Sequence, residues 1–502
     1  MKVVGTITHS WVRINLNYLS PALRDELLER CELRLSYEVV GFNNHIKVHP
    51  EPIASCPLCR SVYDNQVRLY WVFDGTLRFP TGLLCYMEDV VKDLRLKDLR
   101  QWEAIKVWEI ERLPCGVELR EYQKEAIKVL LRERRGMLAA PTGSGKTAVI
   151  GASLIYTCPR PALWICHTIS LAEQTRQTLS ENLNEPVGLI GAGVEQIEPV
   201  TVALIQSLWS KRLGLRNYFP QVKTLIVDEC HHSAARTYFK VIQSCYNAGY
   251  RFGLSATPFR NEEGENLWLI GAIGKVLMAI DHKNLIADKF IADPIVAFVR
   301  LKPLTLTSTD DWNQVYREGI ILNLVRNSLI VSIAAHFKPS LILVWSIEHG
   351  EILLRLAKGR GLNAMFVHGE HSAALRMKAI KDLNEGRLDI LIASDIFKEG
   401  VDIPAVPTLI NAAGQKSKVA TIQRIGRALR PKPPLNKALI VDFFDANEPL
   451  RRHAQIRYNT LSALFHAIIA NDLPSLIEKV GVKIKDAVAN QGTGLIQVGG
   501  NS

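Results

Sequence analysis

Residues 140–147 read Ala-Pro-Thr-Gly-Ser-Gly-Lys-Thr, behind the short apolar run Met137-Leu138-Ala139 and ahead of Ala148-Val149-Ile150. That spacing describes a phosphate-binding loop between a strand and a helix. Gly143 and Gly145 let backbone N–H groups close on phosphate oxygens, and the following helix N-terminus adds partial positive charge. Pro141, Thr142 and Ser144 complete the loop, and Ala140 stands where the general pattern has glycine. Lys146 has the reach for β- and γ-phosphates, and the Thr147 hydroxyl suits magnesium. Further along, Asp228-Glu229-Cys230-His231 ends the apolar run Leu225-Ile226-Val227. A carboxylate at a strand's C-terminal end can hold magnesium through water, and its neighbour can polarise the attacking water. Asp228 is therefore assigned to the metal and Glu229 to general base catalysis. A Gly-rich turn or an Asp-Glu pair is commonplace alone. Together in one domain they predict binding and hydrolysis of a nucleoside triphosphate.

The elements that must hold these groups are legible as alternation. From residue 117 on, short apolar runs alternate with amphipathic stretches. Leu163-Trp164-Ile165-Cys166, Val200-Thr201-Val202-Ala203-Leu204 and Leu225-Ile226-Val227 read as buried strands. The pattern restarts with Leu341-Ile342-Leu343-Val344-Trp345, Asp389-Ile390-Leu391-Ile392-Ala393 and Ala438-Leu439-Ile440-Val441. This predicts an α/β chain with two tandem doubly wound parallel-sheet domains, over 114–298 and 299–470. Pro294, Pro303 and a Thr/Ser/Asp cluster interrupt the rhythm between them. Residues 1–113 read as a small α+β domain, with β-rich residues 67–73, the turn signal Asp74-Gly75 and a helical stretch over 82–108. Residues 471–502 read as a C-terminal helix and a frayed Gly/Asn-rich tail.

A length of 502 residues suggests about three domains. No apolar run reaches the roughly 18 residues needed to cross a bilayer, and the N-terminus lacks a signal-peptide core. Nine cysteines form an odd, scattered set, unlike a secreted disulfide framework, so a cytoplasmic protein is expected (host cytoplasm if phage-encoded). The net charge of +11 suggests a polyanionic partner, nucleic acid before membrane surface. Residues 1–113 hold 15 basic and 15 acidic side chains, whereas 299–502 hold 26 and 18, so composition puts much of any footprint in the C-terminal half. Cys56-Pro57-Leu58-Cys59 has the bite of half a zinc knuckle, and His45 and His49 bring the candidate ligands to four. With no second Cys-x-x-Cys, this falls short of a familiar finger, and isolated buried thiols are the ordinary reading of Cys31, Cys85 and Cys115.

Several segments, in order through most of 118–445, resemble the superfamily 2 helicases and translocases. Leu119-Arg120-Glu121-Tyr122-Gln123 is similar to that family's glutamine segment, which implies adenine recognition by Gln123 beside Arg120. Residues 140–147 and 228–231 resemble its Walker elements. Ser255-Ala256-Thr257-Pro258 resembles the segment coupling hydrolysis to strand movement. Ala393-Ser394-Asp395 with Glu399-Gly400-Val401-Asp402-Ile403-Pro404 resembles the fifth motif, implying that Gly400 and Asp402 meet nucleotide and Ser394 meets the strand backbone. Gln423-Arg424-Ile425-Gly426-Arg427-Ala428-Leu429-Arg430 resembles the sixth, with Gln423 in the site and Arg427 and Arg430 as arginine fingers. RecA-like folds, ATP and magnesium follow from the resemblance.

The Asp-Glu-x-His form, the Ala-Leu-Arg-Pro ending and the run Arg251-Phe252-Gly253-Leu254-Ser255-Ala256-Thr257-Pro258-Phe259-Arg260 resemble those of DNA-repair and restriction-type motors. Among these, Arg78-Phe79-Pro80-Thr81-Gly82-Leu83-Leu84 is similar to the segment preceding the motor in UvsW-type branch-migration helicases of phages, relatives of RecG. The resemblance implies an ATP-dependent DNA helicase acting on forks, displacement loops and four-way junctions in replication, recombination or repair, monomeric on DNA. The alternatives are a duplex translocase without strand separation and an RNA-dependent ATPase. Such motors hold a strand mainly by its phosphates. Candidate contacts are His167, Thr168, Gln174, Thr201, Gln206 and Ser207 in the first domain and Ser346, His368, Gly369 and Ser394 in the second. Residues 1–113 are then an accessory that contacts branched DNA, and their deletion is expected to spare single-strand-stimulated ATPase while reducing action on junctions.

Overall fold

The runs Ala-Leu-Trp-Ile-Cys, Val-Thr-Val-Ala-Leu and Thr-Leu-Ile-Val-Asp have almost no polar alternation. As strands Ala162–Cys166, Val200–Leu204 and Thr224–Asp228 they are buried at every position. Strands buried on both faces belong in a parallel sheet covered by helices. In the computed structural model they are central in an eight-stranded sheet. Its order is Val194–Gln196, Gly188–Gly191, Val200–Leu204, Ala162–Cys166, Thr224–Asp228, Tyr250–Ser255, Arg135–Ala139, Val276–Ala279. Every pairing is parallel except the edge hairpin of the first two. The structure describes residues 3–38, 66–105, 107–231, 236–258, 263–306, 311–394, 406–415 and 436–492. They divide into two compact units, 1–141 with 145–280, and 142–144 with 281–502.

The second unit holds a seven-stranded sheet, parallel throughout, in the order Ala364–Val367, Ile390–Ala393, Ser340–Leu343, Thr408–Asn411, Lys437–Phe444, Asp293–Arg300, Ile468–Ala470. Asp293–Arg300 pairs along its whole length with Lys437–Phe444. The division therefore falls at 280/281, ahead of the expected 298/299. The helix Leu473–Gly492 follows the last strand, and residues 493–502 lie outside the described residues.

The first unit also contains a five-stranded sheet built from the N-terminal segment, in the order Trp71–Phe73, Thr76–Pro80, Trp11–Asn15, Gly5–Ile7, Leu96–Asp98. Asp74 and Gly75, at φ +46° and +65°, make the two-residue turn of its hairpin. Of the helix expected over 82–108, only Leu84–Val91 is α-helical among the described residues. Beyond it Leu94-Arg95-Leu96-Lys97 alternates with period two, and Leu96–Asp98 pairs parallel to Gly5–Ile7. One sheet face, with Val12, Ile14, Leu77 and Phe79, is buried with Leu27 and Cys31 of the helix Pro21–Leu35 and Met87 of Leu84–Val91. This core runs on without a break into Phe239 and Ile270, on the helices Arg236–Ser244 and Glu263–Ala272 beside the eight-stranded sheet. The join is close: a Cβ on Gly82 would stand 2.1 Å from the Ile270 carbonyl oxygen. Fully buried Arg251 donates to Ser10 Oγ at 2.8 Å, and Arg135 donates to the His9 carbonyl.

Among the described residues, no single helix is long and apolar enough to cross a membrane.

Candidate nucleotide site and family membership

Strand Arg135–Ala139 delivers the chain to the glycine loop, and the turn Lys146–Gly151 leads from it into the helix Ala152–Thr157. Gly143 and Gly145 sit at φ +87° and +76°, a region that favours glycine, which is why the loop needs both. Strand Thr224–Asp228 ends beside this loop, and Glu229 after it takes φ +45°, a sparsely populated conformation for a residue with a Cβ. The reversal lets consecutive carboxylates meet two residues of the loop. Lys146 Nζ lies 3.0 Å from Glu229 Oε1, and Thr147 Oγ1 donates to Asp228 Oδ2 at 3.2 Å. Asp228 Oδ1 accepts from the Glu229 N–H at 3.0 Å, which fixes the turn.

Burial, reinforced by the Glu229 charge and opposed by Lys146, pushes the Asp228 carboxyl up to about 6. Burial would raise Glu229 as well, but the Lys146 ammonium and His231 outweigh it and hold Glu229 below the usual carboxylate range. A buried carboxylate raised by its neighbour's charge, one hydrogen bond from a threonine hydroxyl, is an oxygen pair suited to a hard divalent cation. Thr147 and Asp228 thus fit magnesium.

Glu229 is also tied to the next strand. Ser255 ends Tyr250–Ser255, and its Oγ donates to Glu229 Oε2 at 3.2 Å and lies 3.0 Å from His231 Nδ1. The Thr257 N–H donates back to Ser255 Oγ at 3.2 Å, so Ser255 and Thr257, with Ala256 between, form a turn anchored on Glu229. His231 is the member that sequence reasoning left out of the site. Its position in the Asp-Glu-x-His run was visible, but its partner lies on a neighbouring strand. Gln123 is buried, its amide oxygen accepts from the Arg120 N–H at 2.9 Å, and its Nε2 would stand 2.7 Å from a Cβ on Gly145. The glutamine segment therefore packs on the phosphate loop. The exposed Arg120 guanidinium donates to Tyr122 OH at 3.4 Å.

The candidate strand contacts sort by position. His167, Thr168, Gln206 and Ser207 meet at the C-terminal ends of neighbouring strands Ala162–Cys166 and Val200–Leu204, where Gln206 donates to the His167 carbonyl at 3.2 Å. Thr168 caps the helix Ile169–Leu183, on which Gln174 is exposed. Thr201 is a correction: it is fully buried, and its hydroxyl is engaged with the N–H and C=O of Glu198, so it does not reach the surface. In the second unit, Ser346, His368, Gly369 and Ser394 follow the adjacent strands Ser340–Leu343, Ala364–Val367 and Ile390–Ala393 at one sheet edge. Ser346 caps the helix Ile347–Gly359, His368 and Gly369 are accessible, and Ser394 is buried. Gly400, Asp402, Gln423, Arg427 and Arg430 lie outside the described residues, as do His45, His49, Cys56 and Cys59. Among the described residues, no group of three or more His, Cys, Asp or Glu side chains is arranged to hold a metal.

Residues 116–260 match the family described as "Type III restriction enzyme, res subunit", and residues 324–432 match "Helicase conserved C-terminal domain". The chain is a superfamily 2 helicase. The helicase is 27% identical over 366 residues to DNA 3'-5' translocase XPB2 of Sulfurisphaera tokodaii, covering 65% of this chain and 81% of the relative. It is 23% identical over 376 residues to the ATP-dependent DNA helicase uvsW of Enterobacteria phage T4, covering 71% and 74%. Among solved structures, S. cerevisiae Dbp5 bound to RNA and ADP BeF3 matches with a TM-score of 0.52 at 17% identity, covering 74% of this helicase and 94% of that chain. That likeness gives the fold: two RecA-like parallel-sheet domains. As a superfamily 2 helicase, the enzyme is ATP-dependent.

Proposed function

We propose that this helicase uses ATP hydrolysis to move along DNA and to remodel branched DNA, such as forks and four-way junctions. The observation that carries the reading is the join between the N-terminal sheet and the nucleotide-binding sheet. A motor that only tracked a strand would not need an accessory sheet locked to it by a fully buried arginine. One fixed to the ATP-binding domain can hold a second arm of DNA while the motor advances. The DNA helicase and translocase names of its relatives support the same reading.

At the chemical step, Glu229 would accept a proton from the attacking water while Lys146 neutralises charge on the phosphates. Thr147 and Asp228 would hold magnesium, which when bound offsets charge on the phosphate oxygens. Ser255 and His231 would report the state of Glu229 to the strand-binding edge, through hydrogen bonds that change when the carboxylate is protonated. By the family resemblance, Arg427 and Arg430 would act as arginine fingers on the γ-phosphate.

The test is ATP-dependent strand displacement on a synthetic four-way junction beside a blunt duplex of equal length. Resolution of the junction with survival of the duplex supports the reading. Duplex-stimulated hydrolysis with no separation of either would support the second reading, a translocase, which the name of the archaeal relative favours.

A further inference from the structure

The covered face of the N-terminal sheet takes the alternate residues Val12, Ile14, Leu77 and Phe79, so the other face must carry their neighbours. The register places Trp71 opposite Arg78, Arg78 opposite Arg13, Arg13 opposite Thr6 and Thr6 opposite Lys97. Trp11 and Phe73 fall on the same face by the same alternation. Three aromatic rings and three cations thus share one side of a five-stranded sheet. Phe73 is 83% exposed, and Arg13 and Lys97 are exposed.

The face is organised. Arg78 lies with its guanidinium carbon 3.8 Å from the Trp11 ring centroid, and Trp11 meets Trp71 edge-on at 5.5 Å. Arg13 and Arg78 stand directly opposite each other, an arrangement that is destabilising unless an anion lies between or above them. Neither has a carboxylate partner among the described residues, and the buried Arg78 Nε has no hydrogen-bond partner. Burial and the Arg13 charge hold the Arg78 guanidinium below the ordinary arginine range. Two cavities, of about 540 and 320 Å³, meet at Trp11, Arg13 and Arg78. The first opens towards Phe73. The second continues to Gln243, Tyr246 and Asn247 of the nucleotide-binding domain.

From this juxtaposition we infer that the open sheet face is a binding platform for a single strand of nucleic acid, with bases stacked on Trp71 and Phe73 and phosphates on Arg13, Arg78 and Lys97. Unpaired bases offer the π-faces that exposed rings can use. A duplex presents its phosphates and would leave Phe73 uncovered. The groove between the two cavities would lead the strand from the sheet to the motor. The inference deepens the reading of the chain as a DNA motor: it assigns the accessory sheet the displaced or tail strand of a branch.

The test is equilibrium binding of a fluorescein-labelled oligo-dT strand to the full chain without nucleotide, followed by anisotropy. Phe73→Ala, alone and with Trp71→Ala, and Arg78→Gln are compared with the unaltered chain on oligo-dT and on a blunt duplex. The aromatic pair should weaken oligo-dT binding by roughly tenfold or more, with a smaller loss on duplex. Photo-cross-linking of a bromodeoxyuridine-substituted strand should label the peptide carrying Trp71 and Phe73. Unchanged oligo-dT affinity in a Phe73→Ala chain that melts like the unaltered one would overturn the inference, as would equal losses on strand and duplex. No step uses ATP, so failure to resolve junctions would count against the proposed function and leave this result standing.

Discussion

Glu229 carries more of the site than its place in a short motif suggests. Its left-handed backbone, its ion pair with Lys146 and its hydrogen bond from Ser255 make it the node where the glycine loop meets the end of the strand Tyr250–Ser255. Glu229→Gln keeps the shape and removes the base, so turnover should fall by about 10²- to 10⁴-fold while ATP is still bound. Single-turnover hydrolysis beside calorimetric ATP binding checks this, and retained turnover would place the base elsewhere. Lys146→Ala should abolish hydrolysis and leave DNA binding measurable. It also removes the charge that holds Glu229 low, so burial would then raise that carboxyl. Ser255→Ala acts differently, because it removes the hydroxyl shared by Glu229, His231 and the Thr257 N–H and leaves the carboxylate in place, with His231 still 3.4 Å from Glu229. ATPase should stay within about tenfold of the unaltered rate, a loss of no more than about 1.4 kcal/mol, while strand displacement falls further. Equal losses in both assays would mean that Ser255 only supports the base.

At the scale of elements, the nucleotide site was legible because each half sits at the end of a strand whose apolar run is unbroken, so motif and secondary structure reinforce one another. Pairings between distant segments were not. Leu96–Asp98 is a strand because Gly5–Ile7 lies beside it, and nothing within residues 82–108 announces that partner. Thr201 looked like a strand-end contact, but its hydroxyl closes the turn at Glu198. Buried charge in the second unit was equally invisible. Arg457 on the helix Leu450–Phe465 pairs with Asp442 on Lys437–Phe444 at 2.9 Å, both almost fully buried, and donates to the Gln415 carbonyl at 3.0 Å. Arg457→Met would leave Asp442 buried without its counter-charge, so a loss of about 3–5 kcal/mol is expected in denaturant unfolding. A loss below about 1 kcal/mol would show that water reaches the carboxylate. His349 on Ile347–Gly359 is held down to about 3 by burial and by Arg326, and its Nε2 lies 2.9 Å from Asn327 Oδ1. The folded state therefore keeps this imidazole neutral where the unfolded chain protonates it. Its contribution is intact above the unfolded value of 6.5 and declines as pH falls towards 3, by about 2 kcal/mol at pH 5. Thermal unfolding from pH 7 to 5 should fall less steeply in His349→Gln than in the unaltered chain, and parallel slopes would exclude His349 as a source.

For the molecule as a whole, the sequence presents residues 1–113 as an accessory whose deletion spares the motor. In the first unit the two sheets share one hydrophobic core instead. Deletion would uncover Phe239 and the Ile270–Gly271 end of the helix Glu263–Ala272, which pack against Trp11, Pro80 and Leu83. It would also strip Ser10 from Arg251 and the His9 carbonyl from Arg135. Each large apolar side chain uncovered forfeits about 1.5–3 kcal/mol, so the truncated chain should unfold at lower temperature and lose single-strand-stimulated ATPase together with the fold. Ser10→Ala leaves the core intact and removes one hydrogen bond to a buried guanidinium, a loss of about 1.5–3 kcal/mol. It should lower the unfolding midpoint of the first unit while ATPase at 25 °C is preserved. The comparison is decisive because the two changes diverge only if the sheets stabilise one another. A chain truncated before residue 114 that melts like the full one and keeps its ATPase would show that the accessory sheet is separable, and would remove the physical basis for its holding one arm of a branch while the motor moves along another.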